Sequence, residues 1–366
     1  MINRLVVENL KHRPVRTLLS VLAIAIQVTM VLTLVGVSTG MLEEQARRSR
    51  GIGADIVVRA PGGSALLSMS AGNLTDKFVP FIEKQPDVVA ASGVLFASSG
   101  FLSAPVTGID LPSFSRLNGG FRFLQGGPFR DPQDIIVDDY YATQNKLHVG
   151  DHVQLLNQTW SVCGIVEPGI LARTVVPLRT LQTLTSNTGK LSAIYVKTDK
   201  PANIPVVIAA LKKLMPDYGI VPMEELISQI SVNNIPMLRE FINVVIGLGV
   251  LIGFLVVFLS MYTAVLERTR EIGVLKALGA SPLYILNILM RETFVLAVCG
   301  SLLGIALTFF TRWLINDVIH GSLIQAIVLI WWPIAAAIAI VGALLGAMYP
   351  GLKAARQNAI EALAYE

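Results

Sequence analysis

The chain has 366 residues, 53% hydrophobic and only 15% charged, with a mean hydropathy of +0.62. An ordinary soluble domain carries about 25% charged residues, so disorder is excluded and a soluble globular enzyme is disfavoured. A formal net charge of +4 gives nucleic-acid binding no support, and two cysteines staple no scaffold and build no four-cysteine zinc site.

A membrane-spanning helix needs about 20 mostly apolar residues. Four long stretches lack Asp, Glu, Lys and Arg, and they predict spans over 18–40, 241–265, 289–311 and 330–349. Trp331 and Trp332 mark an interfacial belt at the start of the fourth. The first stretch follows Arg13 and Arg16, as in a signal peptide. It is too long for an h-region and has a poor cleavage site, so it is read as an uncleaved span. Arg4, Lys11, Arg13 and Arg16 precede it, Arg268, Arg270 and Lys276 lie between spans two and three, and Lys353 and Arg356 follow span four. Between spans three and four, 312–329 holds a single basic residue of the Lys/Arg type, Arg312. The positive-inside bias therefore places both termini and the 266–288 loop in the cytoplasm and 41–240 outside.

Segment 41–240 holds as many acidic as basic residues and is long enough for a domain core. Strands are predicted at 54–60, 135–137, 153–156, 160–166, 191–197 and 219–221, and helices at 76–84 and 204–214. This pattern predicts a mixed α/β domain with a β-rich insertion near 100–185. Residues 41–50 and 223–238 carry helix-forming patterns and are expected to extend the flanking spans as stalks. Cys163 and Cys299 fall in different compartments, so no disulfide is expected, and Cys163 reads as a buried small residue in a strand. Asp131, Asp134, Asp138 and Asp139 read as solvated surface.

No phosphate-binding loop exists: Gly189-Lys190 lacks its earlier glycine, position 184 being Leu184. His148 and His152 flank a Val-Gly-Asp turn and make no metal pair; His12 and His320 stand apart. The spans carry only weakly polar Gln27, Thr29, Thr33 and Asn243, with Arg291 and Glu292 at the start of span three. A charged solute path through the bundle is not expected. No catalytic, metal or cofactor-binding residue is assigned.

Leu266–Ser281 reads LERTREIGVLKALGAS. Ile272, Leu275 and Leu278 are predicted on one helical face, with Gly279 as a stop and Ser281-Pro282 as the next start. By itself this is an amphipathic connector on the inner surface, or a helix that docks on a soluble partner.

This segment closely resembles the hallmark of the ABC transporter permease family that includes FtsX, MacB, LolC/LolE and DevC-type exporters. The matching positions are Glu267, Arg268, Glu271, Ile272, Gly273 and Leu275–Ser281. The start, with its apolar stripe of Ile2, Leu5, Val6 and Leu10, resembles the family's amphipathic N-terminal helix over 1–17. Gln133 to Val166 resembles the end of its periplasmic core domain. The tail over 350–366, Pro350-Gly351-Leu352-Lys353-Ala354-Ala355-Arg356 then Ile360-Glu361-Ala362-Leu363, resembles its ending, departing at Ala359 and Ala364.

The resemblance implies an α-helical membrane protein with four transmembrane helices and a large inserted extracytoplasmic α/β domain, placed in a bacterial inner membrane. It implies that the 266–288 loop couples to an ATPase through Glu267, Arg268, Arg270, Glu271, Ile272, Gly273, Leu275, Lys276, Ala277, Leu278, Gly279 and Ala280. Partners implied are two copies of an ABC ATPase on a separate polypeptide, which binds the ATP, and a second permease chain, identical or related. A periplasmic adaptor with an outer-membrane channel is implied for the exporting members. The output is mechanotransmission for export or extraction, or alternatively regulation of a cell-wall hydrolase without transport.

Overall fold

The computed structural model describes residues 14–60, 74–98, 105–229, 236–315 and 324–356. Residues 1–13 of the N-terminal amphipathic helix expected over 1–17 lie outside these residues, as do the tail positions Ala359 to Ala364, His12 and His320. The chain divides into a helical unit, 1–40 with most residues after 236, and an α/β unit built on 41–235.

Helix α1 (Pro14–Gly51) holds both the first apolar stretch and the charged residues 41–50 in one unbroken element. At the second expected stalk, Met223–Gln229 is helical and 230–235 lie outside the described residues.

The α/β unit is centred on one ten-stranded sheet. In chain order its elements are β1 (Ile56–Arg59), β2 (Leu74–Thr75), α2 (Phe78–Glu83), β3 (Val88–Ala97), β4 (Val106–Ile109), α3 (Leu111–Asn118), β5 (Phe123–Gly126), β6 (Asp134–Asp138) and α4 (Asp139–Asn145). Then come β7 (His152–Leu155), β8 (Gln158–Val166), β9 (Thr174–Pro177), α5 (Leu178–Leu184), β10 (Lys190–Leu191), β11 (Ala193–Thr198), α6 (Ile204–Leu214), β12 (Gly219–Pro222) and α7 (Met223–Gln229). The sheet order is β12-β1-β11-β3-β4-β9-β6-β8-β5, with β7 on β8, while β2 pairs β10 separately. The strands of the expected insertion therefore form no sheet of their own: β4 pairs β3, and β9, β6, β8 and β5 extend the same sheet.

Both faces of the sheet are covered, so its central strands are apolar on alternate and on successive residues. Val57 and Tyr195 are paired and face Phe114 and Leu117 of α3, Met223 and Leu226 of α7, Ala46 of α1 and Ile52 just after it. Ile56 and Val196, paired one residue away, face Ile82 of α2 and Val207 and Leu211 of α6. A third cluster puts Trp160, Ile135 and Val162 under Tyr141 of α4 and Leu181 of α5.

The helical unit adds α8 (Pro236–Glu267), α9 (Thr269–Ala277), α10 (Pro282–Trp313) and α11 (Trp331–Arg356) to α1. All four long helices are apolar and long enough to cross a membrane. Their interior is built from small residues that let backbones approach. Ala335, Ala339, Ala343 and Ala347 form a stripe on α11 against Val257, Met261 and Ala264 of α8. On α10, a Cβ at Gly304 would lie 2.7 Å from the Ala25 carbonyl oxygen of α1. Leu248, Leu251, Ile252, Leu255 and Leu259 of α8 point outward, as lipid-facing side chains do.

Two boundaries differ from expectation. The third long helix starts at Pro282, seven residues before the expected span, because the Ser281 hydroxyl accepts the Tyr284 N–H and proline occupies the first turn. The fourth continues through Pro350 to Arg356. Local chemistry favours a break there, but Gly346, Ala347, Pro350, Gly351 and Ala354 are all buried, and that packing holds the helix together.

Candidate functional site

The loop between the second and third long helices folds as the short helix α9. It ends in a left-handed turn at Gly279 (φ +91°), a conformation glycine reaches without strain. There the Gly279 N–H donates to the Lys276 carbonyl and the Ala280 N–H to the Leu275 carbonyl, 2.9 and 3.0 Å, closing the last turn.

The predicted apolar face is divided. Ile272 is buried with Val265, Ile285, Leu289 and Ala354, whereas Leu278 is 81% exposed and Leu275 is half-buried. The physical reason is angular: successive i+3 steps each fall short of a full turn by about 60°, so three such residues wrap around a helix of 3.6 residues per turn. Gly273 is buried beside Ile272. Glu267, Arg270, Glu271, Ala277 and Gly279 are exposed, and Lys276 and Ala280 are half-buried. Val274, 45% exposed, joins Leu278 as an outward apolar side chain. The sequence reading passed over Val274, although it stands four residues before Leu278, the spacing of one helix face.

Arg268 is turned inward. It sits at the N-cap of α9 and is 7% exposed, and its Nη1 donates to Glu292 Oε2 at 3.2 Å. Glu292 of α10 is 0% exposed, and its other oxygen accepts from Arg16 Nη2 of α1 at 3.3 Å. Arg16 also lies 3.7 Å from Glu267. One buried carboxylate thus holds guanidinium groups from two other elements. A buried ion needs such partners, because desolvation of a lone charge costs several kcal/mol.

The α/β unit contains a second buried ion cluster. Arg48, in the last turns of α1, donates to Glu44 at 3.0 Å and to Asp138 Oδ2 at 2.8 Å. Arg47 pairs with Glu44 from the exposed side. Asp138 also accepts the Tyr141 N–H at 2.8 Å and so caps α4. Burial raises the Asp138 carboxyl above its ordinary range, outweighing the attraction of Arg48 and Arg173. Burial likewise lowers the Arg173 guanidinium, and repulsion from Arg48 adds to it. Asp138 is therefore not surface. Nor is Asp134, which is buried and accepts the Arg130 and Asp131 N–H groups. Cys163 is half-buried, its thiol bonded to the Ile135 carbonyl, and burial pushes its pKa up to about 12.

Residues 17–214 match the MacB-like periplasmic core domain, and residues 243–359 match the C-terminal domain of FtsX-like permeases. The chain belongs to the MacB/FtsX-like permease family. It is similar to the macrolide export ATP-binding/permease protein MacB of Escherichia coli, 25% identical over 99% of this chain and 60% of that protein. It is also similar to MacB of Bdellovibrio bacteriovorus, 27% identical over 60% of this chain and 36% of that one. The chain thus spans less than two thirds of the length of each of these relatives. The crystallised periplasmic region of MacB from Actinobacillus actinomycetemcomitans aligns with 50% of this chain and 94% of its own at 20% identity and a TM-score of 0.37.

As a MacB/FtsX-like permease, the chain joins a MacB-like periplasmic core domain to four helices long and apolar enough to cross a membrane. Among the described residues no three His, Cys, Asp or Glu side chains gather as a metal site. The α/β unit of this permease does carry an open cleft of about 1010 Å³, lined by Asp110, Phe129, Arg130, Asp131 and Arg179 among others.

Proposed function

We propose that the chain couples ATP hydrolysis by an ABC ATPase to movement of its periplasmic α/β domain, with α9 as the docking helix. The observation that carries this reading is the division of α9. Its Ile272 side is clamped on the bundle, while Glu271, Val274 and Leu278 face outward, Leu278 being 81% exposed among the described residues. A large exposed leucine on a short, anchored helix suits a groove on a soluble partner. The orientation, with both termini and α9 in the cytoplasm, rests on the Lys and Arg bias of the short segments.

Mechanotransmission is favoured over passage through the bundle. Buried polar side chains of the helical unit such as Ser20, Gln27, Thr293 and Ser301 are uncharged, and the buried charges Glu292 and Arg268 lie together beside α9. Two ATPase subunits closing on ATP would draw two docking helices together, which makes the working unit a dimer of permease chains. The output is export or extraction of a substrate in the periplasm, with an adaptor and an outer-membrane channel as partners for export. Because the similar proteins bear the name of macrolide export, a macrolide is the first substrate to try.

The test is ATP turnover by the cognate ATPase reconstituted with the full chain. Glu271→Ala should leave the protein folded and lower the stimulation given by the permease. Stimulation equal to wild type would remove α9 from the coupling role.

A further inference from the structure

We infer that Glu292 is a positioning residue of this coupling, joining the docking helix to the helix that leaves the membrane. The inference rests on the functional reading above and extends it to residues that the docking surface does not contain.

Three elements meet on one carboxylate. Arg268 is the residue from which α9 starts, its carbonyl accepting the Ile272 N–H at 3.0 Å. Its side chain reaches Glu292, which α10 holds fully buried. Arg16, two residues into α1, takes the other oxygen. Each contact is charge-assisted, so it is directional as well as strong. Apolar packing allows sliding between helices; a shared carboxylate between two guanidiniums fixes the register of both.

Buried ion clusters are poor stabilisers relative to apolar side chains of the same volume. Stability alone therefore does not account for a carboxyl group held at 0% exposure between two guanidiniums. A link between moving parts does. Displacing α9 displaces Arg268, hence Glu292, hence Arg16 and the start of α1. That same helix continues to Gly51 and carries Arg48, which is bonded to Asp138. The element pinned to the docking helix at one end is thus pinned into the α/β unit at the other.

The test uses the full chain with its cognate ABC ATPase in lipid nanodiscs, comparing wild type, Glu292→Gln and Arg16→Gln. Arg16→Gln approaches the cluster from its more exposed member and leaves Glu292 paired with Arg268. Three quantities are read: Kd for the ATPase, ATP turnover, and the ATP-dependent change in hydrogen exchange over 41–51. The expected result is an unchanged Kd with loss of the exchange response. Loss of one charge-assisted bond of about 1.5 kcal/mol corresponds to roughly a tenfold weaker response. A wild-type response in either folded variant would overturn the inference. So would parallel loss of ATPase binding, since the cluster would then be shaping the docking face. If wild type itself binds no ATPase, or shows no ATP-dependent exchange, the coupling reading fails rather than the role of Glu292.

Discussion

Arg48 and Asp138 stand ninety positions apart in sequence, and they meet through a 2.8 Å charge-assisted hydrogen bond with Asp138 only 2% exposed. Removing one partner of a buried pair costs up to about 3–5 kcal/mol, because the other charge stays buried, here with the attraction of Arg173 as a partial offset. Arg48→Met should therefore strongly destabilise the α/β unit. Adding Asp138→Asn should recover much of the loss, since asparagine removes the charge and keeps an oxygen for the Tyr141 N–H. Thermal unfolding of the detergent-solubilised chain measures both; no recovery in the double variant would show the pair is not the cause.

The same carboxyl sets a pH dependence. Asp138 lies above its ordinary range when folded, so the fold favours its protonated form. Its contribution is fully present below the unfolded value of about 3.9 and declines as pH rises through the folded value. Asp138→Asn removes this dependence. The difference in Tm between Asp138→Asn and wild type should shift toward wild type on going from pH 7 to pH 5. A shift toward the variant would contradict the assignment.

These residues also show where sequence reading stops. Asp134 and Asp138 look like surface because their partners, the loop N–H groups and Arg48, are supplied by folding rather than by neighbouring sequence. The four long helices were legible because charge is excluded from each over a bilayer's width. The turn at Gly279-Ala280-Ser281-Pro282 was legible because each residue has its own local chemistry. The face of α9 was not: Ile272 is drawn inward by Leu289 and Ala354 from other helices, which no periodicity within α9 reveals. Strand β3 was missed because Ser92 and Gly93 interrupt its apolar run. Tertiary packing decides there, with Gly93 against Leu191.

Close packing of α1 on α10 depends on Gly304. Its added Cβ would meet Ala25 O and Val28 Cβ, each at 2.7 Å. Gly304→Val should lower the unfolding temperature of the helical unit by several degrees, as overpacking by about 1–3 kcal/mol does. Gly247→Ala, with nothing within 4 Å, is the control and should be close to neutral. Equal effects at the two sites would show that the approach of α1 to α10 is not tight.

Cys163 should be inert. With its pKa at about 12, its thiolate fraction at pH 8 is roughly three orders of magnitude below that of a free cysteine. Iodoacetamide should label Cys163 only after urea unfolds the protein. Rapid labelling of Cys163 itself in the native protein, distinguished from the exposed Cys299, would show that the β8 strand opens.

The central claim is that the outward side of α9 docks on an ABC ATPase. The most direct measurement is the Kd of the full chain for that ATPase, with Leu278→Asp set against wild type. Leu278 is fully presented, so placing a charge there should weaken binding by about 2 kcal/mol, close to thirtyfold, the scale of an interface hot spot. The α/β unit should unfold at its wild-type temperature. Wild-type affinity in Leu278→Asp would contradict the claim.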